Sequence, residues 1–150
     1  ISKFPKNLIL NTSRAEIYLN AGFYTEANSY VDKFLSISPG NYPLTITKAK
    51  ILNATGAYFA AEELLRGQIL KRNGDPYLWL LLSDIQRDGK NIVGYYQSKA
   101  EYHVLLGQYE EAISQLEFAL QLTKNNFQVS ESVMTKIIDI KNKINKSRGL

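Results

Sequence analysis

The stretch Ala100 to Leu122, AEYHVLLGQYEEAISQLEFALQL, decides how this chain folds. Gly107 stands seven residues after Ala100, with Tyr109 two and Ala112 five residues beyond it, and Leu116 and Ala119 continue the Ala112 face at helical spacing. Small side chains at Ala100 and Ala112 let two helices approach closely, because interaxial distance follows the size of the residues at the contact. Gly107 falls where one helix must stop and the chain reverse, a place that favours a residue free to take positive φ. The stretch therefore reads as a helix, a tight turn and a returning helix.

The same frame recurs at Ala15, Gly22, Tyr24, Ala27 and at Ala49, Gly56, Tyr58, Ala61, the first two copies being spaced by 56 − 22 = 34 residues. A period of about 34 with a small residue, a turn glycine, an aromatic and an alanine in these places is the pattern of tetratricopeptide repeats, and most of the chain resembles that family. Pro39 lies where the family places its repeat-ending proline, whereas Asn11, Thr45 and Tyr96 replace the tryptophan that often opens the motif. The resemblance implies an all-α, tetratricopeptide-repeat-like helical solenoid of about eight helices with a C-terminal capping helix.

Composition bounds the rest. A chain of 150 residues, 45% hydrophobic and 21% charged, can bury a continuous core, and a single domain over residues 1–150 is expected. With zero Cys there is neither a disulfide framework nor a thiolate metal site. The net charge of +4 gathers near the end, in Lys136, Lys141, Lys143, Lys146 and Arg148. A solvated helix face accounts for it, since nucleic-acid surfaces interleave basic and stacking aromatic residues, so no nucleic-acid partner is expected. No apolar run approaches the ~20 residues of a membrane span. The chain opens on Ile1 without a signal-peptide pattern, and is expected to be a C-terminal fragment of a longer protein.

Taken in order, Pro5 suits the first turn of a helix ending near Asn20, with Leu8, Ala15, Tyr18 and Leu19 turned inward. Its partner, Phe23 to Ile37, carries Ala27, Tyr30, Val31, Phe34 and Leu35 at intervals of three and four. The expected pairs span about 6–37, 42–72, 76–106 and 92–122, with a cap at about 127–146. The third and fourth ranges overlap for a reason. A turn is expected at Gly89 and Lys90, and Gly107 follows only 107 − 89 = 18 residues later, so one helix, Ile92 to Leu106, must serve two neighbours and reverse the sense of the last pair. In Phe127 to Lys146, the residues Val133, Ile137, Ile140 and Ile144 form one apolar stripe. The Lys and Asn residues there suit the polar outer face of a terminal cap.

Catalytic chemistry finds no frame. His103 is the only histidine, and Glu62-Glu63 and Glu110-Glu111 are adjacent pairs whose members point to different sides of a helix. No metal-ligand set, phosphate loop or nucleophile arrangement is present, so the chain is expected to be no enzyme and to hold no cofactor. His103 stands where the other pairs place Tyr18 and Leu52 and reads as a partly buried packing residue. The sequons at Asn11, Asn53 and Asn145 lie in predicted helix or tail.

The repeat resemblance implies an inner surface built by the first helix of each pair, giving Thr12, Glu16, Leu19 and Asn20, then Ile46, Lys50 and Asn53, then Tyr77, Leu80, Asp84 and Arg87. Of these, Glu16, Asn20, Lys50, Asn53, Asp84 and Arg87 are the candidate groove residues for a protein or extended peptide. Thr12 and Glu16 stand where carboxylate-clamping members carry Lys and Asn, which argues against that mode.

From Asp75 onward the run DPYLWLLLSDIQRDGKNIVGYYQSKAEYHVLLGQYEEAISQLEFALQL resembles the C-terminal repeat domain of periplasmic zinc metallopeptidases of the BepA type, with Lys99-Ala100-Glu101 and Gln115-Leu116 in matching places. That resemblance implies periplasmic localisation and a partner- or substrate-binding role beside the outer-membrane protein assembly machinery. It also implies zinc only in an N-terminal peptidase domain outside this chain. A free-standing repeat scaffold with no enzymatic partner domain is the alternative.

Overall fold

The computed structural model describes residues 4–149, with side chains placed from Leu10 onward, so the expected inward position of Leu8 lies outside the described residues. Eight helices and no strand occur among the described residues: α1 (Phe4–Asn20), α2 (Tyr24–Ile37), α3 (Tyr42–Ala54), α4 (Tyr58–Lys71), α5 (Pro76–Asp88), α6 (Ile92–Leu105), α7 (Tyr109–Leu122) and α8 (Phe127–Ser147). They pack sequentially as adjacent pairs within two compact units, Ile1–Lys71 and Arg72–Leu150, the pairwise packing of helical repeats.

In the first unit α1 packs on α2, α2 on α3 and α3 on α4, and α1 also reaches α3. Ala15, Ala27, Val31 and Ile51 form one buried cluster in it, with Tyr18, Leu19, Tyr30 and Leu35 packed around them. The alanines of the repeating frame, Ala15, Ala27, Ala49 and Ala61, are all fully buried, as small side chains between packed helices should be. Tyr18 and Tyr30 stack across the α1–α2 contact with centroids 5.6 Å apart, a geometry that adds to the area they bury.

Four turns share one hydrogen-bond pattern. Gly22 N–H donates to Leu19 O and Phe23 N–H to Tyr18 O, and the same pair of bonds recurs at Gly56/Ala57, Lys90/Asn91 and Gly107/Gln108. This double closure of the last helical turn needs a left-handed residue just past the helix end. Gly22, Gly56 and Gly107 supply it at φ +83, +81 and +73°, and at the third turn Lys90 supplies it at φ +62°. Gly89, the glycine next to it, keeps φ −78°. The left-handed positions are thus spaced 56 − 22 = 34, 90 − 56 = 34 and 107 − 90 = 17 residues, so the last interval is half a period.

One helix fills that half period. In the second unit α6 packs against both α5 and α7, as the spacing requires, and α7 in turn packs on α8. Towards α5 its face is small and polar: a Cβ on Gly94 would come within 2.7 Å of Gln86 Nε2 and 2.5 Å of Asn91 Nδ2, so only glycine fits without displacing them. Ser98 Oγ donates to Gln86 Oε1 beside it. Its other face is apolar, with Ala100 joining Ala112, Leu116, Ala119, Val133, Ile137 and Ile140 in one cluster.

Asn41, Asp75, Asn91 and Asn126 start α3, α5, α6 and α8, each accepting a hydrogen bond from a backbone N–H two or three residues on. Each such cap is worth about 1 kcal/mol. The stripe Val133, Ile137, Ile140 closes the last core as expected, with Ile144 partly buried against it. The outer face of α8 is less polar than a plain cap requires, because Phe127, Met134 and Ile138 are exposed there among the Lys and Asn side chains.

Candidate protein-interaction surface

Glu16 and Asn20 are exposed on α1, while Lys50 and Asn53 are half-buried on α3. Since α1 and α3 pack directly within the first unit, these four candidates lie on neighbouring helices. Lys50 and Asn53 are one helical turn apart and therefore adjacent on the helix surface. Lys50 makes no ion pair or hydrogen bond among the described residues, and the Oδ1 of Asn53 is shielded from solvent. Ile46, also expected on this inner surface, is 6% exposed and belongs to the core, so it offers no wall to a ligand.

Asp84 and Arg87 lie on α5, in the second unit. They are brought together: Arg87 Nη1 is 3.2 Å from Asp84 Oδ1, and Nη2 is 3.4 Å from Asp88 Oδ1. All three side chains are about half exposed, so each pair contributes roughly 0–1 kcal/mol and the guanidinium stays available for exchange with an incoming carboxylate.

A lysine outside the candidate set does more structural work. Lys48 Nζ lies 2.8 Å from Asp32 Oδ1 and also donates to Asn28 Oδ1, tying α3 to α2 at a cleft of about 330 Å³ lined in part by Tyr24, Ser29, Leu52 and Thr55. Lys48 and Lys50 are two residues apart on one helix and face different ways, one committed to a partner within the unit and one not. A second cleft in the same unit, about 360 Å³, is walled by Leu35, Pro39 and Leu64. Gln68 and Gly40 also line it, and Gln68 Nε2 donates to Gly40 O at 3.1 Å.

His103 is half-buried, its Nδ1 2.7 Å from Gln108 Oε1 across the α6–α7 turn and its ring edge-on to Tyr102. That is the packing role its position implies. Among the described residues no group of three or more His, Asp or Glu side chains could hold a metal ion, and no helix is long and apolar enough to cross a membrane.

Short helices packed as adjacent antiparallel pairs are the construction of helical-repeat proteins. Residues 18–85, from the end of α1 into α5, match the tetratricopeptide repeat model. No curated protein matches the chain.

Proposed function

We propose that this chain is a protein-interaction module that holds an extended segment of a partner, carrying an acidic side chain, against α1 and α3. Tetratricopeptide repeats generally serve protein–protein contacts, and the match over residues 18–85 supports that class. The observation that carries the more specific reading is Lys50. The Lys50 side chain is partly buried and makes no ion pair or hydrogen bond among the described residues, so its ammonium is free to take a carboxylate from a partner as a charge-assisted hydrogen bond. Asn53, one turn away, and Glu16 and Asn20 on α1 complete the surface. An array of overlapping peptides from candidate partners tests it: retained peptides should be enriched in Asp and Glu, and Lys50→Glu should lose them. An unchanged set of retained peptides with Lys50→Glu refutes the assignment.

The setting we propose is that of the C-terminal partner-binding domain of a periplasmic zinc metallopeptidase acting in outer-membrane protein assembly and quality control. Support comes from the order of residues between Asp75 and Leu122, with Lys99-Ala100-Glu101 on α6, Gln115-Leu116 on α7 and a terminal helix after them. The coding sequence upstream of Ile1 tests it. A helix with two histidines around a glutamate, in the same polypeptide, supports the peptidase setting; its absence leaves the free-standing scaffold.

A further inference from the structure

The outer face of α8 carries a pattern that a solvated cap does not need. Glu131, Met134, Ile138 and Lys141 follow one another at intervals of three, four and three, which places all four within one stripe along the helix. All are exposed, Met134 to 50% and Ile138 to 55%. Neither Glu131 nor Lys141 makes an ion pair or side-chain hydrogen bond among the described residues. Nearby, Lys136 of α8 pairs with Glu101 at 2.8 Å, and Arg148 at its C-cap pairs with Glu110 at 3.2 Å. Beside the stripe, between α7 and α8, opens a cleft of about 510 Å³ lined by Leu120, Met134, Glu117 and Lys124.

The stripe is self-complementary. Glu131 and Lys141 each lie five residues from position 136, and Met134 and Ile138 each lie two residues from it. A second α8 laid antiparallel about that point sets Glu131 against Lys141 of the other copy and Met134 against Ile138, each contact occurring twice. Twofold pairs use the same patch on both subunits, so a patch must carry both charges at symmetric offsets to satisfy itself, and this one does. A parallel arrangement would instead oppose like charges. We propose that this face is an interface between two copies of the chain, a twofold dimer through α8 in which two apolar contacts are flanked by two ion pairs.

Sedimentation equilibrium of the full chain, from micromolar to submillimolar concentration, tests this. A concentration-dependent dimer is expected, with Glu131→Lys and Lys141→Glu each weakening it about tenfold or more and the double exchange restoring it. Ile138→Lys should leave a folded monomer by circular dichroism, since that side chain is mostly solvated already. A wild-type chain that stays monomeric throughout overturns the proposal and leaves the stripe to a different partner. A dimer in which the double exchange fails to restore what the single changes remove overturns the antiparallel pairing.

Discussion

Ser98 Oγ donates to Gln86 Oε1 at 2.6 Å, a hydrogen bond between two buried side chains that joins α6 to α5. It marks how one helix serves two neighbours. The α5 side of α6 is closed by a polar contact around Gly94, the α7 side by apolar packing from Ala100, and the two faces call for different residues.

Ser98→Ala should therefore destabilise the second unit. The change removes a donor to a buried amide oxygen with little loss of volume, and a buried polar group that loses a partner costs about 1–3 kcal/mol. Chemical denaturation followed by circular dichroism measures it, and an unchanged midpoint would show that the bond contributes nothing.

The four equivalent turns give a paired test of backbone strain. Lys90→Gly removes a side chain from a left-handed position, where non-glycine residues pay about 1–2 kcal/mol, and should stabilise the chain after the entropic cost of glycine is deducted. Gly107→Val should destabilise it by about 1 kcal/mol or more. Nothing lies within 4 Å of a Cβ at Gly107, so the effect there is purely conformational. Thermal unfolding reads both, and equal melting temperatures for Gly107→Val and the wild type would contradict the turn assignment.

What could be read from residues alone follows from whether the signal is local. Gly22, Gly56 and Gly107 announce their turns because the conformation they hold is one that glycine favours. Lys90 holds the same conformation without announcing it, since the repeat forces the position and lysine tolerates it; only the interval of 34 from Gly56 points there. The Asp84–Arg87 pair is legible as an i,i+3 spacing, whereas Lys48–Asp32 joins two helices across sixteen residues and needs their packing to be known. On α8, the inward stripe is visible in its period. The outward Met134 and Ile138 are hidden among lysines and asparagines, and only their exposure separates the two rows.

Ile140→Ala tests the closing role of α8. Ile140 is fully buried against the α6–α7 core, and truncating a large aliphatic side chain in such a site costs about 2–5 kcal/mol. Truncation after Thr123 should cost more, because Val133, Ile137 and Ile140 leave together and uncover Ala112, Leu116 and Ala119. Calorimetry of the two variants orders these effects, and a truncated chain as stable as the intact one would show that α8 closes nothing.

On the proposed function, a partner segment binds along α1 and α3 through Lys50. Titrating the isotope-labelled chain with an acidic peptide retained by the array, and following backbone amide shifts, tests it most directly. The largest shifts should fall at Glu16, Asn20, Lys50 and Asn53, and Lys50→Glu should abolish them while leaving the rest of the spectrum in place. Shifts confined to α8, or an undiminished response in Lys50→Glu, would contradict it.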